Sequence, residues 1–291
     1  MSRSHPPTLI TLVKRALPRA GRGATIVAAV SGGPDSQALL HALALLRERF
    51  ELRLFARSVD HGLRPEAREE IALARALARQ LDVPHSVGRL TVAAGGNLMA
   101  RARTARYEDL ESERYRRKAD FIATAHHADD RAETVLLRLL RGASVQGLGV
   151  LPVVSGCLLR PMIRARRHDV EAHLRRHHLA FARDPSNQDR RFLRVRVRHE
   201  LMPLLLELSP AIVGHLNALA DSAIEPAPRI LDEGGIPLTL SRPHRQALAA
   251  LLDQRSPRGR VLLPGGRVAR WAGSGIVVES RQGAAKPRKS D

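Results

Sequence analysis

The run Ser31-Gly32-Gly33-Pro34-Asp35-Ser36 stands between an apolar stretch, Ala24 to Val30, and an amphipathic stretch that reads as a helix from about Gln37 to Arg49. Glycines let the backbone turn sharply and present its N–H groups to an anion, and the following helix adds its positive end. A strand, a loop of this kind and a helix, in that order, make a phosphate cradle. Taken alone the fragment also reads as a turn in which Ser36 caps a helix. No Gly-Lys-Ser/Thr occurs in the chain, so the loop is not a Walker A loop.

The residues that follow extend the same alternation. Leu52 to Ser58 reads as a second strand, Pro65 to Leu81 as a helix with Glu66, Glu69 and Glu70 at its positive end, and His85 to Leu90 as a third strand. A long helix from about Asn97 to Lys118, a strand Phe121 to Ala125 and a helix from about Asp129 to Leu140 complete a doubly wound parallel α/β sheet. Leu151 to Ile163 resembles one or two closing strands.

We therefore expect a first domain over 1–165 and a helical segment over 166–225, in which Pro203 kinks or ends its second helix. A small α/β module over 226–280 follows, with strands near Leu262 to Ala269 and Gly275 to Val278, and 281–291 is a basic, disordered tail. The first residues, Met1 to Gly23, contain Pro and Arg and no long apolar run.

Lys and Arg total 48 against 29 Asp and Glu, a formal charge of +19, which favours a polyanionic partner. Aromatic residues are only 3% of the chain, which argues against base stacking on exposed aromatic platforms. Cys157 is the sole cysteine, so a disulfide within the chain and a multi-cysteine zinc site are excluded. No segment reaches the length of a membrane span. A soluble, cytoplasmic protein is expected, and the sequence leaves a homodimer open.

Two further polar clusters follow predicted strands, where an open parallel sheet places its ligands. Asp60-His61-Gly62-Leu63-Arg64 would let a nucleotide approach the main chain, or is a turn capped by Asp60. His126-His127-Ala128-Asp129-Asp130 leads into a helix carrying Glu133 and Arg138. Asp129, Asp130 and Glu133 are spaced three and four apart, so their carboxylates gather on one side of the first turn and would bind a cation, unless they only offset the helix dipole. Arg191, Arg194 and Arg198 share a similar spacing and form a basic stripe. His168, His173, His177 and His178 lie among Arg166, Arg167, Arg175 and Arg176, and read as a basic surface helix.

With these motifs in place, the sequence resembles the N-type ATP pyrophosphatases, whose loop reads Ser-Gly-Gly-x-Asp-Ser, and among them the tRNA(Ile)-lysidine synthetase family. Carrying the resemblance are His61-Gly62-Leu63-Arg64, Gly96-Asn97-Leu98 with Ala102-Arg103 and Arg106-Tyr107, His126 to Asp130 with Glu133-Thr134, Leu139-Leu140-Arg141-Gly142 and Arg160-Pro161. The most discriminating part is Asp184-Pro185-Ser186-Asn187-Gln188-Asp189 with Phe192-Leu193-Arg194, Arg198 and Leu201-Met202-Pro203. Asp60, Met99 and Val195 depart from the family pattern.

The resemblance implies an enzyme that uses ATP and Mg²⁺ to adenylate the wobble cytidine of the CAU-anticodon isoleucine tRNA and then attaches free lysine. It implies that Ser31, Gly32, Gly33, Pro34, Asp35 and Ser36, with Asp60, His61 and Gly62, bind ATP. Asp35 and Asp130 would be partners of the metal, and Arg103, Arg106, Asp129, Asp130, Glu133, Arg191, Arg194 and Arg198 would contact substrates. Asp35, His127, Asp129, Asp130 and Arg194 would carry the chemistry, with the division among Asp129, Asp130 and His127 open. A thiolase on the same fold, a pyrophosphatase of small molecules and a non-catalytic RNA binder are the rival readings.

Overall fold

A computed structural model of the chain describes residues 8–60, 62, 67–90, 98–182, 191–224, 244, 247–248, 250–251, 259–263, 266–272 and 275–280. Strand β1 (Thr25–Ala29) is its axis. Ile26, Val27 and Ala28 are wholly buried, as a parallel strand covered on both faces must be. On one side β1 pairs with β2 (Arg53–Asp60) and, beyond it, β3 (His85–Arg89). On the other lie β4 (Phe121–Ala123), β6 (Leu158–Leu159) and the edge strand β5 (Val154–Ser155), which alone in this sheet runs antiparallel. The order β3-β2-β1-β4-β6-β5 puts the reversal of winding between β1 and β4. The carboxyl ends of those two strands therefore open the crevice where doubly wound sheets bind ligands.

Five helices connect and cover these strands: α1 (Leu9–Ala16), α2 (Pro34–Phe50), α3 (Ala67–Gln80), α4 (Leu98–Arg117) and α5 (Ala128–Leu139). Helix α1 has no counterpart in the sequence reading. Its Thr8 cap accepts the Thr11 N–H, and Leu9, Val13 and the following Leu17 are buried in the same core as Leu39, Leu40 and Leu43 of α2. About two amphipathic turns, followed by prolines and arginines, gave too short a period to register as a helix.

The described residues from Thr8 to Ile224 form one compact unit, without a division at the expected boundary of 165. Helix α6 (Arg167–Arg176) contributes Val170 and Leu174 to the core that contains α2. After it come α7 (Leu193–Arg196), a π-helical turn (Val197–Leu201), α8 (Met202–Leu208) and α9 (Ile212–Ile224). Pro203 does not end the run. The wide turn just before it accommodates the residue that cannot donate a backbone hydrogen bond. Among the described residues no single helix is long and apolar enough to cross a membrane.

Polar contacts fasten α9 to α5. The buried Asn217 donates to Ala128 O at 2.8 Å, and Arg131, 1% exposed, donates to Asp221 Oδ1 at 2.7 Å and to Val150 O at 2.8 Å.

The second unit, from Glu225, contains an antiparallel sheet of β7 (Arg260–Leu263), β8 (Arg267–Ala272) and β9 (Gly275–Ser280). The strand expected over Leu262 to Ala269 is thus two strands, and the chain reverses between them at Gly266, φ +70°. The expected linker at 225–228 and tail at 281–291 lie outside the described residues.

Because Arg131 is buried and Asp221 is its carboxylate partner, Asp221→Ala should destabilise the first unit by about 2 kcal/mol. Chemical denaturation read by tryptophan-independent far-UV dichroism checks this. An unchanged midpoint would contradict the role given to the pair.

Candidate active site

The loop after β1 is shaped by its glycines and closed by two serines. Gly32 has φ +79°, and a Cβ there would fall 2.1 Å from the backbone oxygen of Glu70, so no side chain fits. Gly33 caps α2 and Pro34 opens it, which leaves the first N–H groups of the helix unbonded within it. Ser36 Oγ accepts the Ser31 N–H at 3.1 Å, donates to Gly33 O at 3.0 Å and lies 3.2 Å from Ser31 Oγ. A neighbouring segment braces the loop from outside: Ala182 N donates to Gly32 O at 3.0 Å, and Gln37 Nε2 to Ala180 O at 3.1 Å.

The end of β4 lies across the switch point from this loop. His127 is fully buried and caps α5: its Nδ1 accepts the Asp130 N–H at 3.3 Å, while its own N–H donates to Asp130 Oδ2 at 3.1 Å. With Nδ1 accepting, Nε2 is the ring nitrogen left to donate. Among the described residues that Nε2 has no hydrogen-bond partner; it lies 3.5 Å from Asp130 Oδ2 and 3.7 Å from Asp35 Oδ1. A buried donor left unpaired costs about 1–3 kcal/mol, and a ligand oxygen entering between the two carboxylates would relieve it.

Beneath this pair lies an ion network. Glu133, nearly inaccessible, accepts from Arg198 Nε at 2.6 Å, Arg198 Nη2 at 2.9 Å and Arg194 Nε at 3.1 Å. Asp130 Oδ1 accepts from Arg194 Nη2 at 3.0 Å and Arg198 Nη2 at 3.3 Å. The i, i+3 spacing on α5 thus meets the i, i+4 spacing of the two arginines. Asp129 turns elsewhere: it accepts the Arg167 N–H at 2.8 Å and faces Arg166 Nε at 3.2 Å, fixing the start of α6.

The two central carboxylates are driven in opposite directions. Burial raises the Asp35 pKa above the ordinary carboxylate value, with Asp130 adding to it and His127, Arg167 and Arg198 pulling against it. Burial also works against the Asp130 charge, but His127, Arg194 and the His127 N–H outweigh it and hold its pKa low. His126 is pushed down to about 4 by burial, opposed by Asp130 and assisted by Arg160, Arg103 and Arg106, so its ring is neutral at physiological pH. Opposite shifts in two adjacent acids are a mark of a site with divided roles.

Residues 9–205 match the family model described as a PP-loop domain. The chain is 38% identical to the tRNA(Ile)-lysidine synthase of a Bradyrhizobium strain over 98% of this chain and 76% of that protein. The chain belongs to the tRNA(Ile)-lysidine synthase family. It is also 40% identical to the synthase of Pseudomonas fluorescens, over 70% of this chain and 47% of that protein, and 37% identical to that of Ralstonia nicotianae, over 89% and 57%. It spans about half the length of these two relatives. Among solved structures it is similar to the U34-tRNA thiolase NcsA from Methanococcus maripaludis with its [4Fe-4S] cluster, at TM-score 0.61 and 19% identity, covering 73% of this chain and 78% of that one. At that identity the likeness concerns the fold.

In this family member the residues singled out by sequence fall into three groups. Ser31 to Ser36, His127, Asp130, Glu133, Arg194 and Arg198 belong to the two facing clusters just described. Asp60 and Gly62 lie at the same sheet edge, at the end of β2, where Asp60 Oδ1 accepts the Gly62 N–H at 2.9 Å as a turn cap. Arg103 and Arg106 sit on α4 with Tyr107 under both guanidinium groups, and Arg103 borders a cavity of about 680 Å³ between α4 and the β4–β6 edge. His61 and 184–189 lie outside the described residues, and Arg191 begins the segment that carries Arg194 and Arg198.

Sequence reasoning placed Arg166 and Arg167 on a solvated basic helix. The structure brings both to the site, Arg166 to Asp129 and Arg167 Nη2 to within 3.8 Å of Glu133. Nothing local signals this, because the contact spans a whole α–β crossover.

Asp35 gives a pH-dependent test. Its pKa is raised on folding, so the folded state holds the proton more tightly than the unfolded chain, and stability falls as pH rises from the ordinary carboxylate value near 3.9 through the raised one. Asp35→Asn should therefore raise the melting temperature at pH 7 by a few degrees, with the gain vanishing near pH 3. Differential scanning calorimetry at the two pH values decides it; a lower melting temperature at pH 7 would contradict the burial argument.

Proposed function

We propose that the chain catalyses ATP-dependent attachment of free lysine to the wobble cytidine of CAU-anticodon isoleucine tRNA, releasing AMP and pyrophosphate. One observation carries the reading: a glycine loop at the start of a helix faces a buried imidazole, whose Nε2 has no hydrogen-bond partner among the described residues, and two oppositely tuned carboxylates, in a chain of this family. The surplus of basic residues, +19 overall, suits a tRNA partner, and the expected setting is the cytoplasm.

In the first step cytidine O2 bonds to the α-phosphorus of ATP while the bond from that phosphorus to the β-phosphate oxygen breaks, and pyrophosphate leaves. The N–H groups of Gly32, Gly33 and the start of α2, with the Ser31 and Ser36 hydroxyls, hold the departing phosphates. In the second step the lysine ε-amine bonds to C2, the C2–O2 bond breaks, AMP leaves and the amine gives up a proton.

The donor set bears on the metal. Asp130 has both oxygens engaged, by two guanidinium groups and the His127 N–H, whereas Asp35 has no hydrogen-bond partner among the described residues. Asp35 therefore fits Mg²⁺, and Asp130 does so only by releasing an arginine. When bound, Mg²⁺ neutralises charge on the triphosphate.

Asp130 and Glu133 hold Arg194 and Arg198 in place. Each guanidinium keeps Nη1 without a partner among the described residues, available to an α-phosphate or tRNA phosphate oxygen. His127 Nε2–H orients a ligand oxygen. The amine must be neutral to attack although its ordinary pKa is about 10.4, and Asp35, its affinity for protons raised by burial, accepts the proton once pyrophosphate has gone. Asp129, bound to α6, is a positioning residue.

The sulfur-transfer alternative has little support in this chain. Its one cysteine, Cys157, donates to Glu111 at 3.2 Å, and burial raises its pKa, which disfavours a thiolate nucleophile.

Incubation with ATP, Mg²⁺, labelled lysine and CAU-anticodon isoleucine tRNA should yield label in that tRNA and none in elongator methionine tRNA. Glu133→Gln should lower the rate by about 100-fold through loss of the arginine anchor. Pyrophosphate release without lysine incorporation would overturn the assignment of lysine as nucleophile, and absence of both would overturn the enzymatic reading.

A further inference from the structure

Sequence reasoning put His173 and His177 on a solvated face. The fold instead turns them inward. His173 is 5% exposed and His41, on α2, is 8% exposed, with His41 Nδ1 and His173 Nε2 3.0 Å apart. His177, half-buried at the end of α6, completes the group: the three rings lie 4.5 to 5.0 Å apart in pairs, and one nitrogen from each lies within 4.8 Å of the others. His173 and His177 are four residues apart, the helical spacing that aims two imidazoles at one metal.

We propose that His41, His173 and His177 form a binding site for Zn²⁺ between α2 and α6. Zinc takes imidazole nitrogen at about 2.0–2.1 Å in a tetrahedral array, which separates ligand nitrogens by roughly 3.3 Å. The 3.0 Å pair, close enough to share a hydrogen bond, lies somewhat inside that spacing, and ring rotation would open it and bring the His177 nitrogen in. Three imidazoles leave a fourth position for water.

The arginines around the cluster are mostly turned away or neutralised. Arg166 and Arg167 face Asp129 and Glu133, and Arg175 lies 4.0 Å from Glu171 at the surface. His168, which faces Asp169 at 3.2 Å and is largely exposed, stands apart. Arg176 is the cation that acts on His173. Burial, with the neighbouring rings, pushes His173 down to about 4 and lowers His41, which keeps both rings neutral and their lone pairs available at neutral pH.

Such a site would pin together two helices that serve the crevice. Helix α2 starts on the glycine loop, and α6 starts where Asp129 binds Arg166 and Arg167. The metal would brace that arrangement from behind, outside the reacting groups.

The full chain, purified without a histidine tag and stripped with chelator, should bind one Zn²⁺, and Co²⁺ should give the visible absorption of a four-coordinate centre. X-ray absorption at the zinc edge should count three imidazole nitrogens. Zinc at ~100 times its Kd should raise the melting temperature by about 5 °C. His177→Gln, a change at a half-buried position, should melt like the parent in chelator and bind zinc more than about 100-fold more weakly. No stoichiometric binding by the folded parent chain would overturn the proposal, and so would undiminished binding by His177→Gln.

Discussion

Two acidic side chains on the first turns of α5, Asp130 and Glu133, are buried where an isolated charge could not persist. What permits them is the arrival, more than sixty residues later, of Arg194 and Arg198, which meet both carboxylates with hydrogen-bonded geometry. Removing either side would strand buried charge on the other. This constraint ties the arginine-bearing stretch after the sheet to the same compact unit, and Asn217 and Arg131 separately fasten α9 to α5. The arginine-bearing segment is held by the site and in turn completes it.

The same network divides labour between acids that sequence could not distinguish. Asp130 is neutralised by the arginines and the His127 cap and remains ionised. Asp129 is consumed in starting α6. Asp35, across the switch point, is left with burial, a nearby like charge and an imidazole whose Nε2 has no hydrogen-bond partner among the described residues. An unsatisfied donor and an uncomfortable carboxylate, side by side at a phosphate-type loop, are strain that a polyanionic ligand with a cation would relieve.

Much of this was legible in the sequence because it is local. Ala24 to Val30 could only be a buried strand, the glycines after it could only turn, and carboxylates three residues apart had to share a helix face. The parallel sheet follows from the alternation of strands and helices, whereas its strand order, and with it the place of the switch point, depends on which strands pair in the fold. What stayed hidden depends on distance along the chain. Arg166 and Arg167 looked like solvent-facing charge until the fold brought them to Asp129 and Glu133, and His173 looked exposed because its partner His41 is on another helix. Helix α1 was too short to show a period, and the strand read over Leu262 to Ala269 contained a reversal that one glycine, Gly266, makes possible.

The proposed function requires the two clusters facing across the switch point to transfer an adenylyl group to RNA. The most direct test is to incubate the chain with ATP labelled at the α-phosphate and CAU-anticodon isoleucine tRNA in the absence of lysine, then separate the RNA. The account predicts α-label on the tRNA, discharged as AMP when lysine is added. Label that never reaches the RNA, or leaves ATP as ADP, would contradict it.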